Sequence, residues 1–140
     1  MIILDTNVLS EPIKSGADPA VVAWLDQQDI ETLYLTTINL AELLLGIEML
    51  ARSRRRSALE AKLSQIINLF AGSRILSFDA AAARLFAVLV ARATSAGRTI
   101  SFADGQIAAI AAAHGFSVAT RDAAPFVAAG VPVINPWDPL

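Results

Sequence analysis

The chain has no cysteine, one histidine, and only 6% aromatic residues. Without thiols there are neither disulfides nor thiolate chemistry, which suits a reducing cytoplasm. One histidine excludes multi-histidine metal centres and leaves oxygen as the natural ligand for any ion. An uninterrupted apolar run of membrane length is also missing. Glu42 and Glu48 break the stretch from Leu40 to Leu50, and Arg84 and Arg92 break the next. The start carries an acid at position five and no basic lead-in, so no secretory signal is expected. The net charge of −2 excludes a surface coated in positive potential but says nothing about a local cleft. There is no internal repeat, linker or low-complexity tract beyond alanine enrichment.

What is present is 140 residues, 55% of them hydrophobic, enough for a single domain over 1–140 with a substantial core and a sizeable dimer interface. Met1-Ile2-Ile3-Leu4-Asp5 opens the chain with successive apolar residues, the pattern of a strand covered on both faces in a parallel sheet. The remaining strands are expected at 33–35, 75–78, 117–119 and 131–134, the last favouring a sheet edge because of Pro132. Helices are expected after Asp5, near 19–28, from about 38 to 51 with Thr37 as N-cap, from about 54 to 70, after Asp79, and from Ser101 to Gly115. This alternation describes an α/β fold of three layers, α/β/α, with a central, mostly parallel sheet of about five strands.

Four acids fall at comparable places. Asp5 ends the first strand, Glu42 lies on the leucine-rich helix after the second, Asp104 stands three residues after Ser101, and Asp122 follows the fourth strand. Each has an ordinary explanation: a strand end, a solvent-facing helix position, a capping box in Ser101-Phe102-Ala103-Asp104, and a loop acid. Jointly they converge on the carboxyl edge of a parallel sheet, where ligands collect. Carboxylates about 4 Å apart repel by about 4 kcal/mol per pair at an effective dielectric near 20, so such a cluster needs protons or a cation. Oxygen-only donors suit Mg²⁺ or Mn²⁺, and metal-assisted phosphodiester hydrolysis is the leading chemistry.

Ile3-Leu4-Asp5-Thr6-Asn7-Val8-Leu9-Ser10-Glu11 resembles the first motif of the PIN-domain family. Asn39-Leu40-Ala41-Glu42-Leu43-Leu44-Leu45-Gly46-Ile47 is similar to its second, the segment from Ile100 to Ala111 to its third, and Ala119-Thr120-Arg121-Asp122 to its fourth. The ending Val133-Ile134-Asn135-Pro136-Trp137 is also similar. The likeness spans nearly the whole chain and is greatest to the FitB-like branch of the VapC-type toxin ribonucleases. It implies that Asp5, Glu42, Asp104 and Asp122 surround one or two Mg²⁺ or Mn²⁺ ions, with Thr6, Asn7 and Thr120 holding the acids or a metal-bound water. It further implies cleavage of RNA to 5′-phosphate and 3′-hydroxyl ends, a homodimer, and a small VapB-like antitoxin that silences the site, with larger toxin–antitoxin assemblies possible. One position departs from the pattern: relatives often carry an acid immediately before the phenylalanine of the fourth motif, and here Pro125 precedes Phe126.

Other residues have competing explanations. Arg121 stands beside the acids, where it either touches a scissile phosphate or bridges to a carboxylate. The basic run Arg52, Arg54, Arg55 and Arg56 either attracts phosphates or acidic residues of a partner or simply solvates a helix start. His114 at a helix end is favoured by the dipole, Asp79 reads as an N-cap, and Trp24 and Trp137 as packing or interface residues. Two rival functions remain. A phosphotransfer receiver domain needs a paired acid at the first strand and a late lysine, yet Asp5 stands alone and the lysines are Lys14 and Lys62. A catalytically inactive PIN-like protein-binding module would bind no divalent metal.

Overall fold

A computed structural model of the protein describes residues 1–139. Its centre is a five-stranded sheet in the order β3-β2-β1-β4-β5, comprising β1 (Ile2–Leu4), β2 (Leu33–Thr36), β3 (Ile75–Leu76), β4 (Ser117–Ala119) and β5 (Val133–Ile134). Every pairing is parallel: Ile3 lies opposite Tyr34 on one side and Val118 on the other, and β5 closes the far edge against β4. The chain builds outward from β1 through β2 to β3, then returns to lay β4 and β5 on the opposite side. The carboxyl ends of β1 and β4 therefore flank the point where strand order reverses, the place in an open α/β sheet where a crevice forms.

Helices cover both faces: α1 (Thr6–Ser10), α2 (Pro19–Asp26), α3 (Thr37–Glu48), α4 (Arg54–Phe70), α5 (Ala80–Ser95), α6 (Phe102–His114) and α7 (Ala124–Ala128). Successive strand residues point to opposite faces, and the core divides accordingly. Ile3 and Val118 pack with Ile107, Ile110 and Phe126 on the α5–α6–α7 side. Leu4 and Ala119 pack with Val8, Leu35, Leu43, Leu63 and Phe70 on the other. The tightest approach is between α5 and α6, where an ideal Cβ on Gly105 would lie 2.7 Å from Phe86. Glycine at that position lets the two helices come together.

Several boundaries differ from the sequence reading for identifiable reasons. The N-cap of α3 is Thr36, not Thr37; its hydroxyl accepts from Asn39 N and forms a capping box in which Asn39 Oδ1 accepts from Thr36 N. β3 stops at Leu76 because its neighbour β2 ends opposite at Thr36, which leaves Ser77 and Phe78 no ladder to join. α7 was not anticipated: Pro125 stands in its first turn and five residues are too few for a periodic signal. Asp79 caps α5, accepting from Ala82 N, and Gly115 ends α6 in the left-handed region at φ 69°. Among the described residues no helix is long and apolar enough to cross a membrane.

Candidate active site

Asp5 leaves the end of β1 almost fully buried, at 6% exposure, and its backbone carbonyl starts α1. A buried carboxylate must be hydrogen-bonded to be tolerated, and three donors meet it. Oδ1 accepts from Thr6 N at 2.8 Å and Asn39 Nδ2 at 3.2 Å, and Oδ2 accepts from the Thr120 hydroxyl at 2.7 Å. These partners come from α1, α3 and the end of β4, so three elements converge on one acid.

Each partner extends the frame. Asn39 Nδ2 also donates to Thr6 Oγ1 at 3.2 Å, and that hydroxyl donates to Glu42 Oε1 at 3.0 Å. Asp5 and Glu42 are thus linked through a threonine and an amide. Thr120 Oγ1 accepts from Asp122 N at 3.1 Å and from Asn7 Nδ2 at 3.4 Å, and Asn7 Oδ1 accepts from Arg121 N at 3.3 Å. The segment carrying Asp122 is fastened in this way to the residue that holds Asp5. Asp104 enters from the first turn of α6. Ser101 Oγ accepts from Asp104 N at 3.2 Å, but the return bond that would complete a capping box is not formed. The Asp104 carboxylate is therefore not consumed in capping.

The electrostatics show that the four acids share one field. Burial raises the affinity of Asp5 for protons, opposed by the bonds from Thr120 and Thr6, and the charges of Asp104 and Asp122 raise it further. Glu42 is exposed as a residue, yet its carboxylate leans on Thr6. Partial burial there raises its pKa, and the charges of Asp5 and Asp104 add to the effect. The ring is nevertheless open. Among the described residues no three acidic or histidine side chains are gathered closely enough to form a ready-made metal cage.

Two charged residues find partners within the chain. Arg121 neither reaches a carboxylate nor stands free, because its guanidinium lies 5.2 Å over the Trp137 ring. In the basic run, Arg56 pairs with Glu48 at 3.0 Å and Glu60 at 2.8 Å, while Arg55 lines a groove of about 900 Å³. That groove runs from Thr6 and Glu42 between α3 and α4, with Leu43, Ile47 and Leu63 in its walls and Lys14 and Lys62 among its cations. Two residues were not singled out from sequence. Asn39 is fully buried at the centre of the frame, and the one local sign of it is the Thr36-Thr37-Ile38-Asn39 capping spacing. Glu11, also buried, binds Lys14 Nζ at 2.7 Å and accepts from Asp18 N at 2.8 Å, which pins the 11–18 loop beside the groove. The Lys14 bond comes first among the causes that lower its pKa.

The sequence profile of the PIN domain matches residues 2–131. The chain belongs to the PIN-domain family. It is 51% identical over 140 residues to "VapC ribonuclease Y4jK" of Sinorhizobium fredii, with 99% of each chain covered. It is 47% identical over 138 residues to "Toxin FitB" of Neisseria gonorrhoeae, covering 98% of this chain and 99% of that one. In three dimensions it is similar to a chain of the structure described as FitAB bound to the IR36 DNA fragment, with a TM-score of 0.96 and 45% identity over 100% of this chain and 98% of that one.

Proposed function

We propose that residues 1–140 form a single PIN domain that acts as a divalent-metal-dependent endoribonuclease, the toxin half of a type II toxin–antitoxin pair, working in the cytoplasm. The observation that carries this reading is the frame of Thr6, Asn39 and Thr120, which keeps a buried Asp5 supplied with donors while three more acids bear on the same crevice. No cation of the chain pairs with Asp5, Glu42, Asp104 or Asp122 within 4 Å among the described residues. A negative crevice next to a phosphodiester substrate has no sense unless positive charge enters from outside.

The donor set suits Mg²⁺ or Mn²⁺: all oxygen, with no sulfur and no imidazole. Mg²⁺ commonly keeps several waters and takes only one or two protein carboxylates, so an open ring fits it better than a closed cage would. Asp5, Glu42 and Asp104 would hold the ion directly or through water, with Asp122 completing the ring. When bound, such an ion supplies charge neutralisation and a more acidic water. The chain's own work is orientation. Thr120 and Asn39 fix the two oxygens of Asp5, Thr6 aims Glu42, and Asn7 holds the backbone that carries Arg121 and Asp122.

The relatives extend the reading to partners. Solved relatives are described as FitAcB and as FitAB bound to a DNA fragment, which supports a VapB-like antitoxin for this chain; a homodimer belongs to the same reading. The groove from Glu42 to Leu50, apolar with Lys14, Arg55 and Lys62 at its margins, suits an antitoxin segment of apolar and acidic residues whose tail reaches the acids.

The test is direct. Purified chain is incubated with RNA in Mg²⁺, Mn²⁺ or EDTA, and the new ends are mapped. Cleavage leaving 5′-phosphates, abolished by EDTA and by Asp104→Ala, is expected. Full activity of Asp104→Ala would refute the site. The openness of the acid ring favours a second reading, a PIN-like module that binds protein without catalysis. A calorimetric titration showing no divalent-ion binding would favour that module over the enzyme.

A further inference from the structure

A second cavity, of about 630 Å³, opens beside the acid ring. One wall is Arg98, Thr99, Ser101 and Asp104, and the other runs from Asp122 through Pro125 to Val127. Its size falls within the range of about 300–1,000 Å³ usual for small-ligand sites. It shares Asp104 and Asp122 with the ring, so a strand leaving the acids on that side crosses it.

Arg98 is the one basic residue in this cavity. It lines the same space as two carboxylates, yet among the described residues it forms no ion pair with either. Here its backbone is held in place. Gly97 takes φ 76°, Arg98 N donates to Ala93 O at 2.9 Å, and Gly97 N donates to Thr94 O at 3.0 Å, the paired bonds that end a helix with a left-handed residue. The residue is thus presented from a fixed turn at the end of α5, with its guanidinium uncommitted. Opposite lies Pro125 in the first turn of α7, which offers no charge to engage it.

We propose that Arg98 binds a backbone phosphate of the RNA strand adjoining the scissile bond, and that this cavity is the channel through which the strand leaves the acid ring. The inference rests on the nuclease reading above. The charge argument is simple. Asp104 and Asp122 repel an approaching phosphodiester, and an ion held among the acids compensates only for the phosphate it touches. The next phosphate along the strand needs its own counter-charge. Arg98 is the cation placed to supply it, and a guanidinium meets phosphate oxygens in a two-pronged geometry that an ammonium lacks.

The test compares the wild-type chain with Arg98→Ala, Arg98→Lys and Arg92→Ala, the last removing an exposed arginine of α5 outside the cavity. Cleavage of a short single-stranded RNA is measured in Mg²⁺ over a range of salt, and binding of the same labelled RNA is measured in Ca²⁺ by fluorescence anisotropy. Arg98→Ala is expected to raise KM about tenfold with little change in kcat, the mark of lost uniform binding. It should also flatten the log–log salt dependence of binding by about 0.7, the share of one single-strand phosphate contact. Arg98→Lys should restore the salt slope, and Arg92→Ala should leave it unchanged.

An Arg98→Ala protein with unaltered KM and salt slope overturns the inference, and so does one whose kcat alone collapses. A wild-type chain that binds RNA but leaves it uncut retires the nuclease reading, while the anisotropy series still decides Arg98. A wild-type chain that binds no RNA removes both.

Discussion

Thr120 donates its hydroxyl to Asp5 Oδ2 at 2.7 Å, joining the end of β4 to the end of β1 at the strand-order reversal. Thr120 Oγ1 itself accepts from Asp122 N and Asn7 Nδ2. Replacing Thr120 with valine keeps the β-branched shape and leaves three polar groups without this partner. A buried group left unsatisfied costs about 1–3 kcal/mol, so Thr120→Val should lower unfolding free energy by about that amount in urea titrations. Activity should fall further than stability explains, because Asp5 and Asp122 lose their common anchor. A variant of unchanged stability and full activity would show the bond to be incidental.

Asn39→Asp is a sharper probe. The side chain is nearly isosteric and retains an oxygen for Thr36, but its donor to Asp5 Oδ1 and Thr6 Oγ1 becomes an acceptor. At neutral pH two buried carboxylates would face each other at the 3.2 Å contact Asn39 now makes. A loss of about 2–3 kcal/mol is expected. The loss should shrink as pH falls and the pair takes up a proton, which Asn39→Leu should not show. Denaturation of both variants across acid and neutral pH checks this, and equal losses at every pH would exclude charge repulsion as the cause.

Asn39 also marks where sequence reading stopped. Asp5 and Asp122 could be singled out because each follows a strand, Asp104 because it opens a helix, and Glu42 because it is an acid on a leucine-rich helix. Their supporting amide could not be, since its role depends on Asp5, 34 positions away. The sequence pointed to Thr37 as the cap, and Thr36 takes that role because its hydroxyl accepts from Asn39 N. The layers, the parallel sheet and the edge position of the last strand were legible from apolar runs and turn residues, although that strand begins at Val133, after Pro132, and not at Val131. The end of β3 was not, because it is set by where β2 stops and not by its own residues. Likewise the contact of Arg121 with the Trp137 ring, 16 positions away, could not be read from the sequence, and no bridge to a carboxylate forms among the described residues.

Gly105 tests the packing that carries Asp104. A methyl group there would meet Phe86 at 2.7 Å and Val90 at 3.1 Å. Phe86 is itself packed edge-on between Phe78 and Phe102, so it cannot swing away freely. Overpacking costs about 1–3 kcal/mol, offset by the roughly 1 kcal/mol that alanine gains over glycine inside a helix. Gly105→Ala should therefore be destabilised by up to about 2 kcal/mol, and adding Phe86→Leu should recover part of any loss. A double-mutant cycle measures the coupling. Strict additivity would mean that α5 and α6 move apart without cost.

The raised pKa values of Asp5 and Glu42 predict how metal removal and pH interact. Ordinary carboxyls of these two types titrate at 3.8 and 4.5, and in the folded chain both hold protons more tightly, chiefly through burial. A carboxyl raised on folding stabilises while protonated, and that contribution is lost as pH rises through its folded value. Glu11 works in the opposite sense: its lowered pKa contributes above 4.5 and is lost as pH falls through the folded value. In EDTA, melting temperature should therefore decline as pH climbs from the region just above 4.5 towards neutrality. Asp5→Asn should flatten that decline, since the amide does not ionise. Mg²⁺ should reverse it in the wild-type chain, because an ion that binds only the folded state at a hundred times its Kd adds about 2.7 kcal/mol. The metal effect should vanish at acid pH, where the ligands are protonated. A Mg²⁺-induced rise in melting temperature that is the same at acid and neutral pH, or that persists in Asp5→Asn, would place the ion somewhere other than this crevice.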